Sequence, residues 1–141
     1  MKKILITGSN GFLGAHCVEH WLRKTDYEIY ALDKLSYAAS GFDRIRDIDA
    51  FDDKRVRFFT TDLTRPFSEG LIKECQDVDY ILHLAAETHV DNSITDARPF
   101  VYSNVVGTLN ILEFARKCTN LKAFVYFSTD EVIELKNYVG V

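Results

Sequence analysis

Thr7-Gly8-Ser9-Asn10-Gly11-Phe12-Leu13-Gly14 is the stretch that decides the fold. Its glycines are spaced G-x-x-G-x-x-G. It follows the short apolar run Lys3 to Thr7 and precedes Phe12, Leu13, Cys17, Val18, Trp21 and Leu22 at helical spacing. A strand, a tight turn and a helix in that order make a phosphate-binding corner. Gly8 can take the turn, Gly11 lets a pyrophosphate approach the backbone, and Gly14 lets the helix pack on the strand. The unbonded amides at the start of the helix would hold the phosphates.

Outward from this corner, Glu28 to Asp33 reads as a second strand and Val56 to Thr61 as a third. The polar, acidic stretch between them is expected to be loop with one or two helical turns. Pro66 suits a helix start, and Leu71, Ile72 and Cys75 carry that helix toward a fourth strand, Asp79 to Ala85. A long helix beginning near Pro99 carries Val101, Val105, Leu109 and Leu112 on one stripe, with Val106 and Phe114 widening the face. Lys122 to Ser128 is the fifth strand. This alternation predicts an α/β fold, a Rossmann-like doubly wound parallel sheet with helices on both faces. Right-handed crossovers and a reversal after the third strand give the order 3-2-1-4-5, with the glycine turn at the switch point.

Composition agrees with one domain. The chain has 141 residues, 47% of them hydrophobic and 27% charged, with only two prolines, so it can bury a core and reads as a globular protein. Its net charge of −4 is interspersed along the chain, leaving no basic stripe for a nucleic acid. Neither a signal-peptide core nor a membrane-length apolar run is visible, and the expected location is cytoplasmic, with no membrane partner. Cys17, Cys75 and Cys118 are widely spaced in apolar surroundings, which fits reduced core thiols.

Asp33 lies nineteen residues past Gly14 at the end of the second strand. A carboxylate there would accept hydrogen bonds from adenine-ribose hydroxyls and repel a 2′-phosphate, so NAD is favoured over NADP; Lys34 softens that preference without reversing it. Asp62, ending the third strand, is placed to meet the adenine edge, or else is a simple helix N-cap or turn residue. The small Ala85 and Ala86 would leave room for the dinucleotide.

After Ala123 to Phe127 the chain turns to Ser128, Thr129, Asp130 and Glu131. This is the C-terminal end of a strand, where open α/β sheets do their chemistry. Two adjacent carboxylates can supply one acid and one base when their environments separate their pKa values.

Taken together, these motifs resemble the extended short-chain dehydrogenase/reductase family and, within it, the dTDP-glucose 4,6-dehydratases. The resemblance rests on TGSNGFLG, on the run from Asp33 to Ala38, on Asp62-Leu63, and on His83 to Ile94 (HLAAETHVDNSI). Asn104 to Thr108 and Ser128 to Val132 (STDEV) complete it. It implies that Phe12, Leu13, Asp33, Lys34, Leu35, Ser36, Asp62, Leu63, Leu84, Ala85, Ala86, Glu87, Thr88 and Ser103 line NAD. Thr88, His89, Asn104 and Thr129 would face a dTDP-hexose. It further implies that Asp130 protonates the departing C6 hydroxyl while Glu131 takes the C5 proton, which a 4-keto group has acidified. The NAD is regenerated in each turnover and the net reaction is that of a lyase; no metal is called for. The family forms homodimers through the long helix.

The resemblance also calls for a Tyr and a Lys spaced Y-x-x-x-K on a helix beyond STDEV. The one such spacing here, Tyr30 to Lys34, falls on the second strand and its exit and reads as coincidence. Residues 133–141 depart from the family pattern. Residues 1–141 are therefore expected to be an incomplete NAD-binding domain, lacking the last strands and substrate region, with an incomplete dimer interface and inactive alone. The alternatives are a non-catalytic NAD-binding module, or a related epimerase or decarboxylase that would not need Asp130 and Glu131. His16-Cys17-Val18-Glu19-His20 matches the H-x-x-E-H spacing of some zinc peptidases, but it sits inside the dinucleotide-binding helix with no third ligand marked. His83 reads as a strand residue.

Overall fold

The computed structural model describes residues 1–34, 42–85 and 96–128. Five parallel strands, β1 (Lys3–Thr7), β2 (Glu28–Asp33), β3 (Val56–Thr60), β4 (Tyr80–His83) and β5 (Ala123–Tyr126), form one sheet in the order β3-β2-β1-β4-β5. This is the expected order.

Alternation along the strands splits the core in two. Ile4, Ile6, Ile29 and Ala31 face helices α1 (Phe12–Lys24) and α2 (Asp43–Asp47), packing with Ala15, Val18 and Ile45. Leu5, Tyr30, Leu32 and Ile81 face the other way, toward Cys75 of α3 (Glu69–Cys75) and Ile111 and Phe114 of α5 (Gly107–Lys117). Burial on both faces is what a parallel sheet requires and why its central strands are almost wholly apolar. The three cysteines are free thiols; burial pushes Cys75 up to about 12 and Cys118 up to about 11. No helix of the described residues is long and apolar enough to cross a membrane.

Several boundaries differ from expectation. The helix expected at Pro66 begins at Glu69, because the Ser68 side chain caps it by accepting from the Leu71 amide at 3.2 Å. Phe67 instead stacks on Phe114 at 4.7 Å in the extended approach to the helix. The fourth and fifth strands are shorter at both ends than read.

The helix near Pro99 is continuous over 98–117 but is built in three pieces: α4 (Arg98–Val101), a π-helical turn (Tyr102–Val106) and α5. Its stripe of Val101, Val105, Leu109 and Leu112 faces outward, 44–62% exposed, while Phe114 belongs to the opposite, buried face. Polar pairing fixes this rotation. Thr108 meets His83, and the Asn110 side chain donates to the Leu63 carbonyl at 2.6 Å, so Ile111 and Phe114 turn inward and the stripe turns out.

Candidate functional site

At the end of β1 the chain turns sharply on Gly8, whose φ is +69°. A side chain there would be strained, and its Cβ would lie 3.0 Å from the backbone of Ala85. The Gly8 amide donates to the Leu32 carbonyl at 2.8 Å, and Gly11 donates back to the Gly8 carbonyl at 3.1 Å. Helix α1 then starts directly under the turn, with Gly14 buried against Gly8. No side chain caps α1 and no acidic residue lies in its first turn. Its leading amides therefore present positive potential to an anion.

Asp33 stands beside this corner. One carboxylate oxygen accepts from the Asn10 amide at 3.0 Å, tying the end of β2 to the glycine turn. Phe12 and Leu13 are 64% and 58% exposed, unusual for large apolar residues on the first turn of a core helix and fitting for the wall of a ligand groove. The Arg44 guanidinium reaches the Asn10 carbonyl at 3.5 Å, adding a cation to the rim.

Asp62 bonds within its own turn through one carboxylate oxygen. Its carboxylate accepts from the Thr64 hydroxyl at 2.7 Å and the Thr64 amide at 3.0 Å, and these bonds hold its pKa below the usual carboxylate value. Leu63 is buried beneath the long helix. Ser103 and Asn104 both fall within the π-helical turn, half-buried; such turns re-aim side chains and recur at functional sites. Leu84 and Ala85 continue from β4 beneath Gly8. Leu35, Ser36, Ala86, Glu87, Thr88, His89, Thr129, Asp130 and Glu131 lie outside the described residues.

The decoys take other places. Tyr30 is a buried strand residue, with Lys3 and Arg57 beside its ring and Phe59 packed edge-on. His16 packs against Phe12 and His20 against Trp21, each edge-to-face.

Four polar residues at this corner, Thr7, Asn10, His83 and Thr108, were given no role in the site from the sequence, although His83 is the strand residue expected, ending β4. The Thr7 hydroxyl lies 2.7 Å from His83 Nδ1, and the Thr108 hydroxyl 2.9 Å from His83 Nε2. The available signal was a hydroxyl and an imidazole, each ending an apolar strand; β1 and β4 pair them directly.

A G-x-x-G-x-x-G turn at the switch point of a parallel sheet, with a carboxylate ending the next strand, defines a Rossmann-like dinucleotide-binding protein. The profile of the NAD dependent epimerase/dehydratase family matches residues 4–138, and the chain belongs to that family. It is 37% identical over 139 residues to an Escherichia coli dTDP-glucose 4,6-dehydratase, a match that covers 92% of this chain and 37% of that protein. The chain thus spans little more than a third of that relative's length. Among solved structures, a dTDP-glucose 4,6-dehydratase double mutant from Streptomyces venezuelae with NAD and DAU bound superposes with a TM-score of 0.78. Its identity is 36%, covering 92% of this chain and 40% of that one. A UDP-glucuronic acid 4-epimerase from Bacillus cereus, in complex with its sugar nucleotide and NAD, gives a TM-score of 0.81 at 29% identity. That match covers 94% of this chain and 41% of the other.

Proposed function

We propose that the chain is the NAD-binding part of an enzyme that dehydrates a nucleotide-activated hexose, taking dTDP-glucose to its 4-keto-6-deoxy product. The observation that carries the reading is the corner itself: Gly8 and Gly14 in contact, α1 uncapped beneath them, and Asp33 bonded to the Asn10 amide. A side chain at Gly8 would run into the backbone of Leu84 and Ala85, and one at Gly14 into that of Gly8 and Ser9, so both glycines serve the tight strand-turn-helix packing that brings the α1 amides to a pyrophosphate.

In this reading the amides of the turn and of α1 hold the pyrophosphate, and Asp33 accepts from the ribose hydroxyls. Phe12, Leu13, Lys34, Leu35, Ser36, Asp62, Leu63, Leu84 to Thr88 and Ser103 complete the lining. When bound, NAD supplies a hydride acceptor and donor. Thr88, His89, Asn104 and Thr129 orient the hexose. Asp130, kept protonated, gives its proton to the leaving C6 oxygen, and Glu131 removes the C5 proton. The role proposed for these residues is binding and dehydration chemistry; drawing the C4 hydroxyl proton calls for the Tyr and Lys of a helical Y-x-x-x-K. Self-association is also proposed, through the outward stripe of Val101, Val105, Leu109 and Leu112, whose exposure supports it.

Calorimetry of the chain with NAD and with NADP tests the first step; NAD is expected to bind more tightly, and no binding of either would sink the reading. A 4-epimerase is the second reading, favoured by the likeness to the Bacillus cereus enzyme. The two separate on Asp130→Asn and Glu131→Gln in a form competent for turnover. Losses of about 10²- to 10⁴-fold are expected for a dehydratase, and neither substitution should matter to an epimerase.

A further inference from the structure

The Thr7 hydroxyl decides the protonation of its neighbour. Its oxygen accepts from the Leu84 amide at 3.0 Å and from the Ala85 amide at 3.1 Å. A hydroxyl has two acceptor positions and one proton; with both acceptors engaged, the proton must be donated. The atom it faces is His83 Nδ1 at 2.7 Å. That nitrogen is therefore the unprotonated one, the ring proton sits on Nε2, and Nε2 donates to the Thr108 hydroxyl at 2.9 Å.

We propose that His83, as the neutral Nε2–H tautomer, is a positioning residue of the dinucleotide site, clamping the end of β1, the exit of β4 and helix α5 in one hydrogen-bonded chain. The two amides held by Thr7 belong to the backbone that packs 3.0–3.1 Å from the place of a Gly8 side chain. At the other end of the chain, Thr108 immediately follows the π-helical turn and Gly107, so the clamp joins the glycine turn to the segment bearing Ser103 and Asn104. His83 is 1% exposed. Around it stand Thr7 of β1, Thr108 of α5 and, on β5, Phe124 and the titratable Tyr126, with ring centroids at 6.3 and 5.2 Å. Burial pushes the imidazole down to about 4, which keeps both ring roles fixed near neutral pH. The positioning role rests on the reading of this corner as a dinucleotide site; the tautomer does not.

Long-range ¹H–¹⁵N correlation spectra of the ¹⁵N-labelled full chain test the tautomer. The expected spectrum has His83 Nδ1 unprotonated and Nε2 protonated. An Nδ1–H form or a mixture of tautomers in the unaltered chain would overturn the proposal. Thr7→Ser keeps the hydroxyl and is expected to preserve both spectrum and NAD affinity. Thr7→Val is expected to release the tautomer and weaken NAD binding about tenfold, the equivalent of one net hydrogen bond. NAD affinity unchanged in Thr7→Val would overturn the positioning role alone. Should Thr7→Val not fold, Thr108→Val takes its place: with Thr7 still donating to Nδ1 the tautomer is expected to stay Nε2–H while NAD binding weakens about tenfold, and unchanged NAD affinity would overturn the positioning role. If the unaltered chain binds no NAD, the dinucleotide reading falls and the positioning role falls with it, while the spectra still decide the tautomer.

Discussion

Gly14 lies so close beneath Gly8 that a methyl group added to it would stand 1.8 Å from the Gly8 carbonyl oxygen. Nothing at that contact is a flexible side chain able to step aside; Gly8 and Ser9 present backbone. Gly14→Ala must therefore pry α1 away from the turn. The expected cost is about 3 kcal/mol or more of stability, the upper end for overpacking, together with loss of NAD binding. Urea unfolding and calorimetry measure the two; a stable variant with unchanged affinity would show that the corner is not tight.

The Asp33 carboxylate does two jobs that one substitution separates. In Asp33→Asn the side-chain carbonyl still accepts from the Asn10 amide, so the bond at 3.0 Å is kept and the turn stays in place. The negative charge goes. NAD affinity is expected to fall about tenfold, while NADP, no longer repelled, gains relative to NAD. Calorimetry with both cofactors is the measurement, and equal losses for the two would contradict the assignment.

His83 makes stability fall on the acid side. Folded, its pKa is lowered from 6.5 to about 4 by burial; unfolded, it takes up a proton below about 6.5. Between those values the unfolded state binds more protons, so stability drops as pH falls through that window, by about 3 kcal/mol in all. Above it the group contributes no slope. Urea midpoints of the parent and of His83→Gln, taken across the window, are expected to converge toward low pH. Parallel curves would mean that His83 stays uncharged in the unfolded chain too, or charges in the folded one.

Strand order and the glycine corner were legible because each depends on local features. Periodicity marks Lys3 to Thr7 and Phe12 to Leu22, and glycine spacing marks the turn between them. The rotation of the long helix was not legible: Leu109 and Leu112 look like core from their spacing, yet they are exposed. What turns them outward is a pair of long-range polar contacts, Thr108 to His83 and Asn110 to Leu63, which no window of sequence contains. The same limit hid the His83 clamp, whose partners lie 76 and 25 residues away along the chain. Asp62 was legible only as alternatives, and the Thr64 bonds engage one of its carboxylate oxygens in the turn.

Arg55 offers the control that separates folding from binding. Its guanidinium donates to the Thr25 and Leu22 carbonyls, both at 2.6 Å, satisfying carbonyls that the C-terminal end of α1 leaves without helical partners. The charge also opposes the negative end of the helix dipole. This is the far end of α1 from the glycine turn. Arg55→Ala is expected to cost about 1–3 kcal/mol, as for hydrogen bonds to a charged group, and to leave NAD affinity unchanged wherever the chain is folded. Lysine does not rescue it, because one ammonium cannot reproduce the two-pronged geometry of the guanidinium. Urea unfolding of Arg55→Ala and Arg55→Lys, with calorimetry of each at a temperature well below its midpoint, checks both halves. A matching loss of NAD affinity would mean that the two ends of α1 are coupled, and that the glycine corner depends on the whole helix rather than on its first turn.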